Sequence, residues 1–414
     1  MKYKVHHLDN TCRICKSKNI EQFLELDNMP FTDDFVKKEE IGTEFLYPIK
    51  IYYCKDCDTV QTQHDVAVEE YYEDYQYSVG ESAFASNFMN SIAGKLCSTY
   101  FPDTNDIKVL EVGSGDGGQL LPFKKLGCKV LGYEPSSALV KVAADKGIPS
   151  VQGLFDENAI DNLPDDFKEV NIILLSYTFD HIPDPIGFLN AVKKILNKQN
   201  GILVIENHDL EKIFERQEYC LFEHEHSIYL TKSTAISLAK RNGFEVVEFD
   251  VLPEEHRRAN SLIFVMALSK SDYSKNAIDE YSLLEYNQPN FYHTQANKIY
   301  EGIENFERYI DKIIDSGKTI AGYGAGGRGI MTLAALSNAA RLKYIVDKKP
   351  KSNNVYAPKF HLPVYEINQL AKEPVDEVIV FSFGYMEEIK KDLMNMGYTE
   401  NQISSMIDVL KKEN

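Results

Sequence analysis

The sequence predicts an α/β protein in three parts: an N-terminal module over 1–82, a doubly wound sheet over 83–270 and a Rossmann-like unit over 271–414. Three observations carry this reading. Two Cys-x-x-Cys pairs, Cys12/Cys15 and Cys54/Cys57, fall within the first sixty residues. From about residue 83 onward, apolar strand patterns alternate with amphipathic helix patterns, which implies a parallel sheet covered on both faces. A strand–glycine–helix passage then occurs twice, at 108–118 and at 319–329. At 414 residues the chain exceeds one ordinary domain.

In the first part, four thiolates fill the tetrahedral shell of a Zn²⁺ ion, the pattern of a structural rather than a catalytic site. The odd total of seven cysteines speaks against a disulfide framework. The segment between the pairs, with Pro30 and Pro48, is longer than in a small zinc ribbon and must carry strands or turns of its own. Redox chemistry at one pair is the competing reading.

In the second part, strands are expected at 109–112, 129–132, 171–176 and 201–206, with helices at 119–126, 137–146 and 185–196. Ligands of such sheets sit beyond the carboxyl ends of the strands, so the loops after 112, 134, 176 and 206 converge on one cleft. Glycines at 113, 115 and 117 remove Cβ atoms that block close approach, and the helix start that follows offers free N–H groups. Glu134 lies where such folds place an acid against ribose hydroxyls. Glu111, just before the turn, is ill suited to a pyrophosphate but suits a cationic methionyl group. The Glu111-x-Gly113-Ser114-Gly115-x-Gly117 pattern with Glu134-Pro135-Ser136 resembles class I methyltransferases. That resemblance implies S-adenosylmethionine held by Glu111, Gly113, Ser114, Gly115, Gly117, Glu134 and Pro135.

A polar stretch at 269–288 opens the third part, followed by a long helix at about 293–316 and strands at 342–346 and 377–381. Its glycine run, Gly322-Tyr323-Gly324-Ala325-Gly326-Gly327-Arg328-Gly329, lacks an acid before the glycines, and Asp347 takes the position of Glu134. A nucleotide or nucleotide-linked substrate is the functional reading. An empty scaffold and a nicotinamide-dependent oxidoreductase are the alternatives.

The net charge of −18 opposes a nucleic-acid partner. No run approaches the roughly eighteen apolar residues of a membrane span. The opening Met1-Lys2-Tyr3-Lys4-Val5-His6-His7 lacks the apolar stretch of a secretory signal, so a cytoplasmic location and a small-molecule substrate are expected.

Taken together the three parts resemble the sugar C-methyltransferases of deoxysugar biosynthesis. The resemblance rests on the paired cysteines, on Glu223-His224-Glu225-His226 with Tyr229, and on the tail. In the tail the glycine run precedes Val346-Asp347-Lys348-Lys349-Pro350 and Tyr356-Ala357-Pro358-Lys359-Phe360-His361-Leu362-Pro363. It implies action on nucleotide-linked 4-keto sugars, with the tail helping to hold the nucleotide. Methyl transfer to carbon needs removal of an α-proton by a base within hydrogen-bond reach, and histidine titrates near neutrality. The resemblance makes His226 that base, with Glu225 orienting it or binding sugar hydroxyls. His181, in Asp180-His181-Ile182-Pro183-Asp184, is expected in the same cleft, and Tyr77 is expected to steady the enolate oxygen. The chain departs from the family in two places. Glu223 stands where relatives carry tyrosine, and His256-Arg257-Arg258-Ala259-Asn260-Ser261-Leu262 replaces a His-Gly-Gly-Ser-x-Arg-like segment. O- or N-methylation of a saccharide or other small metabolite, and a non-catalytic nucleotide-binding scaffold, are the competing functions.

Overall fold

The computed structural model describes residues 3–32, 34–67, 83–103, 105–258, 260–281, 290–348, 350 and 355–411. The N-terminal module consists of β1 (Val5–His7), β2 (Ile20–Met29), β3 (Val36–Lys37), β4 (Tyr47–Cys54), β5 (Val60–Thr62) and β6 (His64–Val66). β2, β4 and β5 form an antiparallel sheet, and β1 pairs with β6 beside it. The long inter-cysteine segment thus carries strands, as its length required.

The central sheet contains β7 (Lys108–Val112), β8 (Lys129–Glu134), β9 (Ser150–Gln152), β10 (Ile172–Ser176) and β11 (Ile202–His208), all parallel. These strands read as near-continuous apolar runs because both faces are covered. Alternate side chains point to opposite faces. Leu110, Leu131, Leu175 and Leu203 pack with Phe188, Leu189 and Val192 of helix Pro185–Ile195. Val109, Val130, Leu174 and Val204 pack on Phe88, Ile92 and Leu96 of helix Ala83–Tyr100. Each such buried side chain contributes about 2 kcal/mol before conformational entropy is subtracted.

The sheet is not wholly parallel. β12 (Ile228–Tyr229) leaves it, and β13 (Phe244–Phe249) and β14 (Ser261–Leu268) close one edge, β14 running antiparallel to β11 and β13 antiparallel to β14. The connection between them, 250–260, holds a 3-10 turn at Glu254–His256 and no α-helix among its described residues, and the pair is antiparallel.

The C-terminal sheet combines β15 (Ile320–Tyr323), β16 (Ile345–Asp347), β17 (Val355–Tyr356), β18 (Pro363–Glu366), β19 (Glu377–Val380) and β20 (Ile403–Ser405). Helix Phe291–Asp315 buries Ile299, Phe306 and Ile310 against it. The three parts lend each other edge strands. β3 pairs with β17 as the last strand of the C-terminal sheet, and β12 pairs with β5 as the last strand of the N-terminal one. Unpaired N–H and C=O groups at a sheet edge are thereby satisfied by a neighbouring domain. No helix among the described residues is long and apolar enough to cross a membrane.

Candidate functional site

The glycine turn after β7 is a cradle shaped by missing side chains. Gly113, Gly115 and Gly117 have φ of +72°, +52° and +74°, a region L side chains rarely enter. A Cβ on Gly113 would stand 2.4 Å from Thr178 Oγ1, and one on Gly117 would stand 3.0 Å from Ile148. Around Gly115 there is open space. At the end of β8 the buried Glu134 carboxylate accepts the Gly115 N–H (2.8 Å) and the Ser136 N–H (2.9 Å), one on each oxygen. A carboxylate oxygen has two lone pairs, so each oxygen retains one for a ribose hydroxyl.

Glu111 is only 2 % exposed, and its Oε2 has no hydrogen-bond partner among the described residues. Burial raises its carboxyl well above the ordinary range, and the nearby Arg258 only partly offsets this. An unpartnered buried carboxyl is costly, and a cationic ligand relieves that cost. The donor set therefore fits S-adenosylmethionine. The buried Ser114 hydroxyl packs over Gly132, where a Cβ would lie 2.3 Å from it, and has no hydrogen-bond partner among the described residues. Pro135 is half-buried, and its carbonyl accepts a 3.4 Å bond from the Gln152 amide.

The four cysteines of the N-terminal module converge, each placing its sulfur within 4.8 Å of the others. Cys12–Cys57 and Cys15–Cys54 are 3.5 Å apart. A regular Zn–thiolate tetrahedron has edges of about 3.8 Å. The two knuckles are alike: Lys16 (φ 60°) and Asp58 (φ 56°) both turn left-handed and donate their N–H to the Cys12 and Cys54 carbonyls. With four thiolates the ion has no open position, so it is a structural zinc whose binding contributes to folding.

Arg13, inside the first knuckle and 2 % exposed, links this metal centre to the cleft. It donates to the Thr62 and His64 carbonyls, to Asp65 (2.7 Å), and to the Pro183 carbonyl (2.9 Å) beyond β10. The Thr62 hydroxyl donates to the His226 carbonyl (3.2 Å), and the Ser227 N–H donates to the Asp180 carbonyl (2.6 Å).

His226 is 2 % exposed. Its Nδ1 lies 2.8 Å from the Leu221 carbonyl, which can only accept. The proton is therefore fixed on Nδ1 and Nε2 is left as the basic nitrogen, 3.8 Å from Glu223 Oε2. The carboxylate beside that nitrogen belongs to Glu223. Glu225, expected to orient the ring or bind sugar hydroxyls, is half-buried, and the Leu221 carbonyl holds the ring through Nδ1.

The His181 and His208 rings stand 4.8 and 4.9 Å from that of His226. His208 Nδ1 binds Asp180 Oδ2 at 2.8 Å. Burial alone would raise Asp180, but the His208 hydrogen bond and the surrounding imidazoles outweigh it and hold the carboxyl well below its ordinary range. Burial pushes His181 down to about 3 and His208 to about 4, against the pull of Asp180. Asp180, His208 and His226 each place one ligand-type atom within 4.8 Å, yet the 2.8 Å Asp180–His208 contact is a hydrogen bond rather than an edge between two metal ligands.

Of the four side chains expected at the acceptor, the structure brings His181 and His226 together and sets Glu225 in the same segment, whereas Tyr77 lies outside the described residues. Sequence reasoning missed His208, Tyr177, Glu206 and Arg258. Tyr177 (φ 50°), the residue just past β10, is left-handed, with its ring 4.6 Å from that of His208. Arg258 lies 4.5 Å above the Phe88 ring and 3.5 Å from Glu206. The strand-end rule that flagged the loop after 206 was the signal that pointed to His208.

Three family profiles match consecutive stretches of the chain. They are a "Putative zinc binding domain" over 12–72, a "Methyltransferase domain" over 87–249 and a "C-methyltransferase C-terminal domain" over 267–405. C-methyltransferase NovU of Streptomyces niveus is 22% identical over 384 residues, covering 91% of this chain and 90% of that protein. A ubiquinone biosynthesis O-methyltransferase of Bradyrhizobium sp. (strain ORS 278) is 29% identical over 102 residues, 24% of this chain and 39% of its own. The solved plantazolicin methyltransferase BpumL in complex with SAH aligns with a TM-score of 0.36 and 15% identity, over 45% of this chain and 86% of that one. The glycine cradle with its two acids and the zinc-binding module define an S-adenosylmethionine-dependent methyltransferase with a structural zinc. More narrowly, the chain matches C-methyltransferases: the three profiles follow one another along most of its length, as its motifs led us to expect.

Proposed function

We propose that this enzyme methylates a carbon of a nucleotide-linked 4-keto sugar, with His226 removing the α-proton. The observation that carries the reading is the locked His226 tautomer, which presents a lone pair at Nε2 rather than an N–H. A base is needed for carbon, because the carbon α to a ketone becomes nucleophilic only as its proton leaves. Bound S-adenosylmethionine supplies the methyl group, and Glu111 and Glu134 hold it at the cradle. Glu225 and Tyr77 complete the acceptor site, Tyr77 by supporting the enolate oxygen. The second glycine run, where Arg328 lies 3.6 Å from Glu218 and 5.4 Å from the Phe383 ring, receives the nucleotide. The sugar class is supported by the three-domain resemblance, and transfer to carbon by the likeness to C-methyltransferase NovU over nearly the whole chain.

The test is incubation with isotopically labelled methyl donor and a panel of nucleotide-linked 4-keto sugars, the label being located by NMR. Label on carbon is expected, together with exchange of the α-hydrogen for deuterium in D₂O without methyl donor. Label on oxygen or nitrogen would replace this reading with the O- or N-methylation alternative. His226→Ala is expected to lower turnover by about 10²–10⁴ while leaving donor affinity within about twofold. A near-normal rate would remove His226 from the mechanism.

A further inference from the structure

Carbon methylation leaves one proton behind in each turnover. The C–H bond breaks toward His226 Nε2, its electron pair stays on carbon, and that carbon takes the methyl group as the sulfonium becomes a neutral thioether. The proton remains on His226, which is 2 % exposed and cannot be reused until it is discharged. Its Nδ1–H is tied to Leu221, so the proton must leave from the Nε2 side.

The neighbouring imidazole is arranged to take it. His208 donates its own Nδ1–H to Asp180, so its Nε2 also carries a lone pair and not a proton. No hydrogen bond of the described residues occupies that nitrogen. The two rings are 4.9 Å apart at a tilt of 43°. His208 is also the more open of the two, with its side chain 14% exposed at the end of β11. Asp180 is 1% exposed and stays ionised, which pairs any charge that reaches His208. This is the acid–imidazole arrangement by which a buried carboxylate stabilises an imidazolium formed in passing.

We propose that His208, backed by Asp180, is the proton carrier of this site: it receives from His226 the proton taken from the acceptor and releases it to water at the cleft. The inference rests on the carbon-methylation reading. His208 is here a relay and not the base, so its loss slows recovery of the enzyme rather than bond making.

The test compares wild type and His208→Gln with labelled methyl donor and a thymidine diphosphate 4-keto-6-deoxyhexose as acceptor. Rates are measured in one turnover with enzyme in excess and again at steady state. The expected result is a single-turnover rate within about threefold of wild type and a steady-state rate lowered about tenfold or more. Equal losses in both regimes, or none in either, would overturn the carrier. A second readout needs no acceptor: ¹⁵N NMR of histidine-labelled protein, with the His208 signals assigned by their loss in His208→Gln. Protonated Nδ1 and bare Nε2 on both His208 and His226 are expected, with Asp180→Asn disturbing the His208 tautomer and leaving that of His226 in place. A proton on His208 Nε2 would end the proposal even in an active enzyme. Wild type that neither exchanges the α-hydrogen nor methylates the probe would instead bring down the carbon-methylation reading, and the carrier with it.

Discussion

The two strand–glycine–helix passages use one backbone device with opposite charge. In both, the acid ending the second strand accepts an N–H of the glycine turn: Glu134 from Gly115 at 2.8 Å, and Asp347 from Ala325 at 2.9 Å. In both, one glycine faces open space, Gly115 in the first and Gly326 in the second. The strand before the first turn carries the buried Glu111, whereas the strand before the second carries Ala321 and Gly322, and the cation Arg328 follows. The second turn is also packed more tightly. A Cβ on Gly329 would lie 2.0 Å from the Gly324 carbonyl oxygen, and one on Gly327 would lie 3.2 Å from Glu223 Oε1, beside the base segment. The backbone device is thus shared, and what differs is the charge placed around it, an acid at the first turn and a cation at the second.

The sharpest way to break this comparison is by substitution of the glycines themselves. Gly329→Ala is expected to destabilise by about 3 kcal/mol or more, because the obstruction is backbone and cannot rotate away. Gly115→Ala costs only about 1 kcal/mol of left-handed strain, yet fills the cradle and loses donor binding. Denaturant unfolding with donor titration on both variants checks this, and equal stability losses would mean that the turns are packed alike.

The acids give a smaller difference. Glu134→Gln is expected to weaken S-adenosylmethionine by about 30-fold, near 2 kcal/mol, through the lost ribose bond. Asp347→Asn should leave that affinity within about twofold. Calorimetry that found equal weakening in both variants would place the donor between the two domains.

The smallest effect is the proton linked to Glu111. Burial raises its pKa in the free protein, so it keeps a proton at pH values where an unfolded carboxyl, near 4.3, has lost it. Its contribution to stability therefore falls as pH rises through that window. Donor binding favours the ionised form, so affinity rises with pH and up to one proton is released on binding. Calorimetry in buffers of different ionisation enthalpy reads that proton. Glu111→Gln should abolish the release and weaken the donor about tenfold, or about 1.4 kcal/mol. An unchanged release would assign the proton elsewhere.

Much of this was legible because it is written locally. The Cys12/Cys15 and Cys54/Cys57 spacings fix two turns, and their convergence needs only that the module fold. The alternation from Val109 onward gave the parallel strands, but it was silent on the β13–β14 edge, whose antiparallel direction depends on how the connecting loop returns. The Ser114 side chain is a related case. Its place in the motif is local, but the direction of its hydroxyl is set by Gly132 on the next strand.

By itself the sequence determined the zinc quartet, the glycine cradle and the two acids around it, while His226 as the candidate base came from the family resemblance. The first three are encoded by residues a turn apart or by the fixed strand–turn–helix spacing, which the backbone converts directly into geometry. Only the tertiary structure decided which nitrogen of His226 is bare, that Glu223 lies beside it, and that Asp180 and His208 join it. Those facts depend on sheet pairing. β5 of the zinc module pairs with β12 and carries in the segment that bears His226, and the order of β10 and β11 brings together residues that are distant in the chain.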